Sequence, residues 1–265
     1  MLKKILTGWG DISRAWQRRS LALMLGWQDI KQRYRRSKLG PFWLTISMAV
    51  MITMIGLIFG QALKRPMDVY LPFVASGIIF WNFISSSIND GAQSFISSAG
   101  MIRQLGLPLA LYPMRVLWRN IVVLGHNIVI IPIVLLLVGK SINLNLLWLI
   151  PGFLVVIANL FWFSLLMGVF CTRFRDMPPI IASLVQVLFY VTPIIWMPDS
   201  VGARVSSLIV NTNPAYHVLE LVRAPILGYA PSPMNWTISV GVAVLGLFVS
   251  MVFYGTYKKR IAYWI

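Results

Sequence analysis

The chain has 265 residues, of which 58% are hydrophobic and 11% charged, and its mean hydropathy is +0.77. A soluble domain carries about a quarter charged residues, so this composition excludes a soluble globular protein. The net charge of +16 does not indicate nucleic-acid binding, because the basic residues lie between long apolar segments. The single cysteine, Cys171, excludes an internal disulfide and a cysteine-built metal site. We expect no metal ligands in this chain.

The first 38 residues combine basic residues with a periodic apolar face. They are too basic and too broken for a signal-peptide core, so we expect no cleavable signal peptide. One set of residues recurs at spacings of three and four, which places it on a single helical face: Trp16, Ser20, Leu23, Trp27, Ile30 and Tyr34. This pattern predicts an amphipathic helix lying in the membrane interface. A soluble helix packed on a partner protein is the alternative.

Six long apolar segments follow the N-terminal segment. They are residues 42–63, 70–87, 112–138, 146–171, 178–197 and 235–257. Each is long enough, at about 1.5 Å per residue, to cross most or all of a ~30 Å hydrocarbon core. In lipid the backbone must satisfy its own hydrogen bonds, so these segments are predicted to be helices. We predict an all-α integral membrane protein of six spans, with residues 1–38 as an N-terminal segment, 39–257 as the membrane domain and 258–265 as a tail.

The distribution of Lys and Arg predicts the orientation of the spans. Eighteen of these residues lie before the first predicted span, after the second or in the first two turns of the third, after the fourth and after the last. Five lie on the other side: Lys64, Arg65, Lys140, Arg204 and Arg223. Because basic residues are retained in the cytoplasm, both termini are predicted to be cytoplasmic.

Two features inside the predicted spans have more than one interpretation. Gly56 and Gly60 form a G-x-x-x-G motif that permits close helix contact, either within one protomer or at a dimer interface. His126 is an ionisable residue within the third span. Such residues are functional candidates, but we expect a lone histidine to hydrogen-bond a neighbouring helix.

A short helix is predicted after the second span, in residues 98–108. Ser98 is placed to cap it, and Gly106 and Pro108 are placed to end it. Met101, Ile102 and Leu105 are predicted to share one face, with Arg103 and Gln104 on another. The pattern alone fits an ordinary connecting loop better than a helix that docks on another protein.

Residues 198–234 are too long for a simple connection between spans. Asn213 and Pro214 are typical of an N-cap and a first helical residue. Pro225 and Gly228 are predicted to end that helix, and a shorter one is predicted between residues 201 and 210. Glu220 and Arg223 lie three residues apart and are predicted to pair. Two such helices either close a channel or form a structural re-entrant hairpin.

The sequence lacks the residue patterns that catalysis, nucleotide binding and ion-coupled transport require. None of the seven acidic residues forms a close carboxylate pair. Gly139-Lys140-Ser141 resembles the end of a phosphate-binding loop, but Val134 stands where that motif needs glycine. An ion-coupled carrier needs carboxylates within the membrane, and the predicted spans contain almost none. A membrane-bound glycosyltransferase needs clustered acids, a metal site or a nucleotide-sugar loop, so an enzyme is not expected.

Five short stretches, in order, carry a family resemblance. They are RYRRSKLGPFW at 33–43, RFRDMP at 173–178, TPI at 192–194, NPAYHVLE at 213–220 and RAPILG at 223–228. Together they resemble the membrane subunit of O-antigen polysaccharide ABC exporters, within the type-2 ABC transporter permeases. The resemblance covers residues 29–257. Permeases of capsule and teichoic-acid exporters share this architecture, and a drug or lipid exporter with the same fold is a further alternative.

The resemblance implies an assembly and a transport reaction. Two copies of this subunit would pair with two ATP-binding subunits, which would hold the ATP and Mg²⁺, in the bacterial inner membrane. The substrate would be a polysaccharide on undecaprenyl diphosphate, moved from cytoplasm to periplasm. The implied coupling helix contains Ser98, Gly100, Met101, Ile102, Arg103, Gln104 and Leu105. The implied gate, in residues 198–227, contains Pro198, Asn213, Pro214, Tyr216, His217, Glu220 and Arg223.

Two more groups of side chains fit that substrate. A lipid diphosphate needs cations at its cytoplasmic entrance, where guanidinium groups bind phosphate bidentately; the candidates are Arg33, Arg35, Arg36 and Lys38. Alternatively, these residues only orient the spans by the positive-inside rule or contact anionic lipids. Aromatic faces suit a sliding sugar chain, and the candidates for channel lining are Phe80, Trp81, Phe83, Trp162, Tyr190 and Trp196. Anchoring in the membrane interface is the alternative for each.

Overall fold

A computed structural model describes residues 2–35, 40, 42–140, 143–200 and 202–265. These residues form twelve α-helices, two 3₁₀ turns and no strand, which confirms the all-α prediction. The helices are α1 (Leu2–Gln17), α2 (Arg19–Tyr34), α3 (Phe42–Ala62), α4 (Met67–Ala92), α5 (Ala99–Gln104), α6 (Leu111–Asn127), α7 (Ile130–Leu137), α8 (Leu149–Arg173), α9 (Met177–Val191), α10 (Ala203–Thr212), α11 (Pro214–Leu227) and α12 (Pro233–Trp264). The 3₁₀ turns are Leu144–Trp148 and Pro198–Ser200.

Within the described ranges, five helical segments are long and apolar enough to cross a membrane. They are α3, α4, α6 with α7, α8 with the 3₁₀ turn before it, and α12. The predicted span at residues 178–197 forms only α9, an apolar helix of 15 residues. Proline disfavours the α conformation in the residue before it, and Thr192, before Pro193, is extended. The helix therefore ends before residue 192.

The N-terminal segment forms two helices instead of one. Arg18 leaves the helical conformation between α1 and α2, with φ −100° and ψ 22°. Trp16 is 61% exposed and Trp27 is also exposed, as an interface helix would require. Ile30 is buried instead, with Ala22 and Gly26, on the side of α2 that packs against α6, so it does not share the exposure of the tryptophans. Gly26 permits that approach, because a Cβ there would lie 2.9 Å from the carbonyl oxygen of Arg115.

Polar contacts gather the four basic segments at one end of the bundle, which we call the basic end (residues 2–35, 93–110, 173–177 and 258–265). Asp11 of α1 accepts hydrogen bonds from Tyr254 and Lys258 of α12. Arg103 donates to the carbonyl oxygen of Ile265. Arg175 donates to the carbonyl oxygen of Trp264 over 3.0 Å. Residues 258–264, predicted as part of a tail, thus continue α12, and residues 264 and 265 contact the loops that contain Arg103 and Arg175.

The opposite end of the bundle contains the remaining connections. Arg65, after α3, forms an ion pair of 2.7 Å with Asp199. Asn145, before α8, donates to the carbonyl oxygen of Gly228 over 2.7 Å. The Tyr70 hydroxyl donates to the carbonyl oxygen of Ile195 over 2.6 Å. Because α9 is preceded by a contact at the basic end and followed by contacts here, it runs from one end to the other.

The buried centre of the molecule is built around α4, which packs against α3, α6, α8, α9 and α11. Cys171 of α8 belongs to this core and is fully buried. Gly56 lies against α4, since a Cβ there would be 2.7 Å from Leu71 Cδ1. A Cβ at Gly60 would be 2.9 Å from Met67 Sδ. The G-x-x-x-G motif therefore serves packing within one protomer.

Candidate functional site

The short helix α5 lies at the basic end. Ser98 precedes it, but its side chain makes no capping hydrogen bond, so the predicted cap is wrong. Met101 and Ile102 pack against the protein's own apolar core. Leu105 is 48% exposed and extended, because the helix has ended at Gln104. The predicted face shared by these three residues is therefore wrong.

The outward surface of α5 differs from the predicted one. Gly100, Gln104 and Leu105 are exposed. Nothing lies within 4 Å of a Cβ built on Gly100. Arg103 is also exposed, but it is tied to α12 through the Ile265 carbonyl. A partner protein at this end would meet Gly100, Gln104 and Leu105 and not Met101 or Ile102.

Asp11, in α1, binds both the segment between α5 and α6 and the last helix, α12. Its carboxylate accepts the backbone N–H of Ala110 over 3.0 Å, in addition to the Tyr254 hydroxyl and the Lys258 ammonium. The side chain is buried, so each bond forms away from water. This contact was missed from the sequence, because Asp11 and Tyr254 are 243 positions apart. The sequence feature that could have indicated these contacts is an acidic residue within a strongly basic segment.

A second ionic network joins α2, α6 and α4. Arg115 of α6 binds Asp29 of α2, with a distance of 2.8 Å from Nε to Oδ2. Arg119 lies 3.6 Å from Asp29 and 2.7 Å from Asp90 of α4. Asn120 donates to Asp90 over 3.3 Å. The network fixes the helix that follows α5 against the N-terminal segment, and sequence analysis missed it.

The candidates for phosphate binding lie at and beyond the end of α2. Arg33 and Arg35 are exposed. Arg36 and Lys38 lie outside the described residues. The two described arginines are available to an anion at the basic end, and their assignment stays a prediction.

The helices α10 and α11 occupy the opposite end. The Asn213 Oδ1 atom accepts the backbone N–H of Ala215 over 3.0 Å, which confirms the predicted N-cap of α11. Its Nδ2 donates to Thr192 Oγ1 over 2.9 Å. Gly228 ends α11 with a φ of +99°, a conformation that favours glycine. Pro225 was predicted to end the helix but lies inside it.

Most of α11 is buried against α4, α8 and α12. Arg223 is fully buried and binds Glu220, which confirms the predicted pair. It also donates to the carbonyl oxygen of Pro193, and its guanidinium carbon lies 4.3 Å from the Phe73 ring centroid. This arginine therefore connects α11 to α4 and to the segment after α9. These contacts fix α11 in its position beside α4.

The two histidines lie in different surroundings. The His126 Nδ1 atom lies 2.8 Å from the carbonyl oxygen of Val122 in its own helix, so the expected bond to a neighbouring helix is wrong. The His217 ring nitrogens lie 2.8 Å from Asn235 Oδ1 and 3.3 Å from the Asn211 carbonyl oxygen. His217 thus connects α10, α11 and α12.

The aromatic residues predicted to line a channel separate into two groups. Phe80, Trp81 and Phe83 of α4 are at most 5% exposed, so in this conformation they pack between helices, and their assignment to a channel stays a prediction. Tyr190 is exposed, and Trp162 and Trp196 are partly exposed. Trp196 donates to the carbonyl oxygen of Tyr190 over 3.0 Å. Only this second group has partly or fully exposed side chains in this conformation.

Two tyrosines at the opposite end combine an aromatic ring with a neutral hydroxyl. Burial, with the nearby Glu220 carboxylate as a smaller cause, raises the pKa of Tyr216 to about 12. Partial burial and the same carboxylate also raise the pKa of Tyr229, whose side chain is half exposed. Both phenols therefore keep their O–H at physiological pH. Sequence analysis assigned Tyr216 to the gate and missed Tyr229.

Comparison with known proteins identifies the family. Residues 21–227 match the model of the ABC-2 type transporter family. The chain belongs to this family. It is 24% identical over 239 residues to the O-antigen export system permease protein RfbA of Klebsiella pneumoniae, covering 86% of this chain and 90% of that one.

Two other curated relatives have related names. The RfbA protein of Myxococcus xanthus is 22% identical, covering 80% of this chain and 82% of that protein. The polysialic acid transport protein KpsM of Escherichia coli is 22% identical, covering 87% of this chain and 90% of that protein. The ABC-2 match and the apolar helices together establish a multi-pass membrane permease.

Proposed function

We propose that this ABC-2 permease is the channel-forming subunit of an ATP-driven exporter of O-antigen polysaccharide linked to undecaprenyl diphosphate. The cargo moves from cytoplasm to periplasm across the bacterial inner membrane. The observation that carries the proposal is the similarity to O-antigen export permeases over most of both chains. Two copies of the chain and two ATP-binding subunits form the exporter, with ATP and Mg²⁺ held by the latter.

The proposed topology has six crossings, with the basic end in the cytoplasm. Contacts that gather the basic segments at one end support this orientation. The helix α9 supplies the fifth crossing with its extended continuation, since its 15 residues rise only about 22 Å. The exposed tryptophans of α1 and α2 then lie in the cytoplasmic interface.

Movement in this proposal begins at α5 and ends at α10 and α11. The ATP-binding subunit contacts the exposed Gly100, Gln104 and Leu105. Arg33, Arg35, Arg36 and Lys38 attract the lipid diphosphate at the cytoplasmic face. The pair α10 and α11, preceded by Pro198, closes the periplasmic side.

A capsule polysaccharide is the second candidate substrate. It is favoured by the similarity to the polysialic acid transport protein KpsM. Teichoic acid, and drugs or lipids, are the other cargoes that the same permease fold would permit.

Reconstitution tests the proposed function. The purified chain is placed in proteoliposomes with and without its ATP-binding subunit, and translocation of a radiolabelled lipid-linked polysaccharide is measured. We expect transport only with the second subunit and ATP. Transport by this chain alone would overturn the proposal, as would ATP-driven transport of a lipid without its glycan and none of the glycan-bearing lipid.

The gate is tested in the same vesicles. One cysteine is placed at Ser207 of α10 and another at Asp199, which border the same cavity, and the pair is oxidised to a disulfide. Transport should stop on oxidation and return on reduction. Undiminished transport by the oxidised protein would exclude α10 as a moving gate.

A further inference from the structure

A cavity of about 320 Å³ lies between α4, α6 and α8, within the membrane-spanning part of the bundle. Its volume falls in the roughly 300–1,000 Å³ range of ligand clefts. We call it the α6–α8 groove; all the residues that border it are apolar, and they include Phe80, Leu124, Gly125, Ile150, Phe153 and Leu154. Such a groove offers no polar side chain to a ligand, so the ligand that fits it is a hydrocarbon.

The α6–α8 groove extends from the core of the protein to its apolar surface. Leu124 and Phe80 are at most 5% exposed and form its deep side. Ile150 and Leu154 form its outer rim and are 66% and 62% exposed. In a membrane-spanning helix, exposed apolar side chains of this kind face lipid tails. A lipid chain can therefore enter the groove from the side, without crossing a polar surface.

A break in the third span lies beside the groove. Pro132 has no N–H, so the carbonyl oxygen of Ile128 loses its usual helical donor. That oxygen instead accepts the N–H of Ile131 over 3.0 Å, and α6 ends at Asn127 before α7 begins. Gly125 lies just before the break, and nothing lies within 4 Å of a Cβ built there. The groove thus lies where the span is interrupted and a residue without a side chain lines it.

Two tryptophans indicate how deep the groove lies in the membrane. Trp148 immediately precedes α8, and its ring centroid lies 5.8 Å from that of Trp236 in α12. Because tryptophan is enriched at the membrane–water interface, this pair marks the interface of the opposite end. Leu154 follows Trp148 by six residues, which is about 9 Å along a helix. Half of the hydrocarbon core is about 15 Å thick, so the groove lies among the acyl chains of one leaflet.

A cation lies at the interface level of the same helices. Lys140 follows α7, is partly exposed, and borders a small cavity together with Leu135 and Leu146. Leu146 directly precedes the residues that begin α8, close to Trp148. A lysine ammonium attracts phosphate, and a phospholipid carries its phosphate at the water side of its acyl chains. A cation at the interface with an apolar groove beneath it matches that arrangement.

We propose that the α6–α8 groove binds one acyl chain of a bilayer phospholipid whose phosphate lies beside Lys140. The chain packs on Leu124 and Phe153 and supports the contact of α6 with α8 next to the break in the span. The cations assigned to the diphosphate of the transported lipid lie at the basic end, so this site belongs to a phospholipid of the membrane and not to the cargo. The proposal does not depend on the proposed function.

Photocrosslinking tests the site. The full chain is reconstituted in nanodiscs with phosphatidylglycerol that carries a diazirine in the middle of one acyl chain, and labelled residues are quantified by mass spectrometry after irradiation. The reference is α12, where Val244 and Leu245 are 63% and 66% exposed and follow Trp236 into the membrane. We expect Ile150 and Leu154 to carry at least fivefold more label than these two residues, because a bound chain stays beside them longer than a freely exchanging one.

Two variants separate a bound chain from general lipid contact. Gly125→Leu places a side chain in the groove and should lower the label at Leu154 at least fivefold. Gly241→Leu in α12, where a Cβ also has nothing within 4 Å, is the matched control and should change that label less than about twofold. Lys140→Gln leaves the groove intact and should lower the label at least threefold, and it carries the test if Gly125→Leu does not fold.

Four results would overturn the proposal. The first is equal labelling of α8 and α12 in the wild-type protein, and the second is an unchanged label at Leu154 in folded Gly125→Leu or in Lys140→Gln. The third is loss of the label when one undecaprenyl phosphate is added per ten phospholipids, which would assign the groove to an isoprenoid chain. The fourth is a disulfide between two copies of Ile150→Cys in the nanodisc, which would assign this surface to a second copy of the chain.

Discussion

At the scale of single residues, Asp11 makes the contacts with the largest expected effect. Asp11→Ala removes the acceptor of Ala110, Tyr254 and Lys258 and leaves a partly buried ammonium without its anion. Removing one partner of a buried pair costs about 3–5 kcal/mol. We expect a clearly lower midpoint of thermal unfolding in detergent. Asp176→Ala, at an exposed carboxylate, is the control, and equal midpoints in the two variants would contradict the assignment.

Arg223 and Glu220 give a second prediction for residues. Arg223→Met leaves a buried carboxylate without its cation and should lower the unfolding midpoint strongly. Adding Glu220→Gln removes the unpaired charge, so the double variant should recover part of the loss. The three proteins are compared by thermal unfolding in one detergent. A double variant less stable than Arg223→Met would show that charge compensation is not what this pair provides.

Sequence reasoning succeeded at residues whose partners are close in the chain. The Asn213 cap and the Glu220–Arg223 pair span three positions or fewer, so helix geometry alone predicts them. The contacts of Asp11 and of His217 with α12 depend on how distant helices pack. The burial of the aromatic residues of α4 was not predictable for the same reason, because it depends on which helices pack around α4.

At the scale of elements, apolar length predicted where the helices lie but not where they end. Pro193 shortened α9, and Arg18 divided the N-terminal helix. The helix α12 continued to Trp264, past the predicted end at residue 257. Its last turns are held by contacts to Arg103 and Arg175, which no local pattern encodes.

Close packing of α11 on α8 predicts the effect of a methyl group. A Cβ at Gly152 would lie 2.4 Å from the backbone oxygen of Leu221, so Gly152→Ala must move one helix. Overpacking of this kind costs about 1–3 kcal/mol. Gly241→Ala in α12 is the matched control, since nothing lies within 4 Å of its Cβ. We expect a lower unfolding midpoint for Gly152→Ala only, and equal midpoints would refute the contact.

The outward surface of α5 predicts how the permease holds its ATP-binding subunit. Leu105→Asp and Gly100→Leu change only exposed positions, so they should reduce copurification of the ATP-binding subunit without lowering the unfolding midpoint. Met101→Asp should lower the midpoint, because Met101 packs on the core. Full copurification with both surface variants would exclude α5 as the docking element.

At the scale of the whole molecule, both ends of the bundle are defined by contacts between distant segments. The charge pattern alone predicted which segments would share an end, and contacts of Asp11, Arg103 and Arg175 with α12 place them together. The cavities beside α10 were not predictable, because their walls come from α10, α11, α12 and the segment around Asp199.

Orientation in the membrane gives a prediction for the whole chain. In intact spheroplasts, a membrane-impermeant maleimide should label Lys140→Cys and should not label Lys259→Cys. Lysed spheroplasts should label both. The reverse pattern would place the basic end outside the cell and overturn the proposed topology.

Burial of Cys171 makes the native protein unreactive toward thiol reagents. It is the chain's single thiol and lies sealed among the side chains of the α4 core. Thiol reagents should therefore not react with the native protein, so background labelling should be absent. Single cysteines introduced in α5 or α10 can then carry spin labels or dyes, and pairs of them can be crosslinked, without first replacing Cys171.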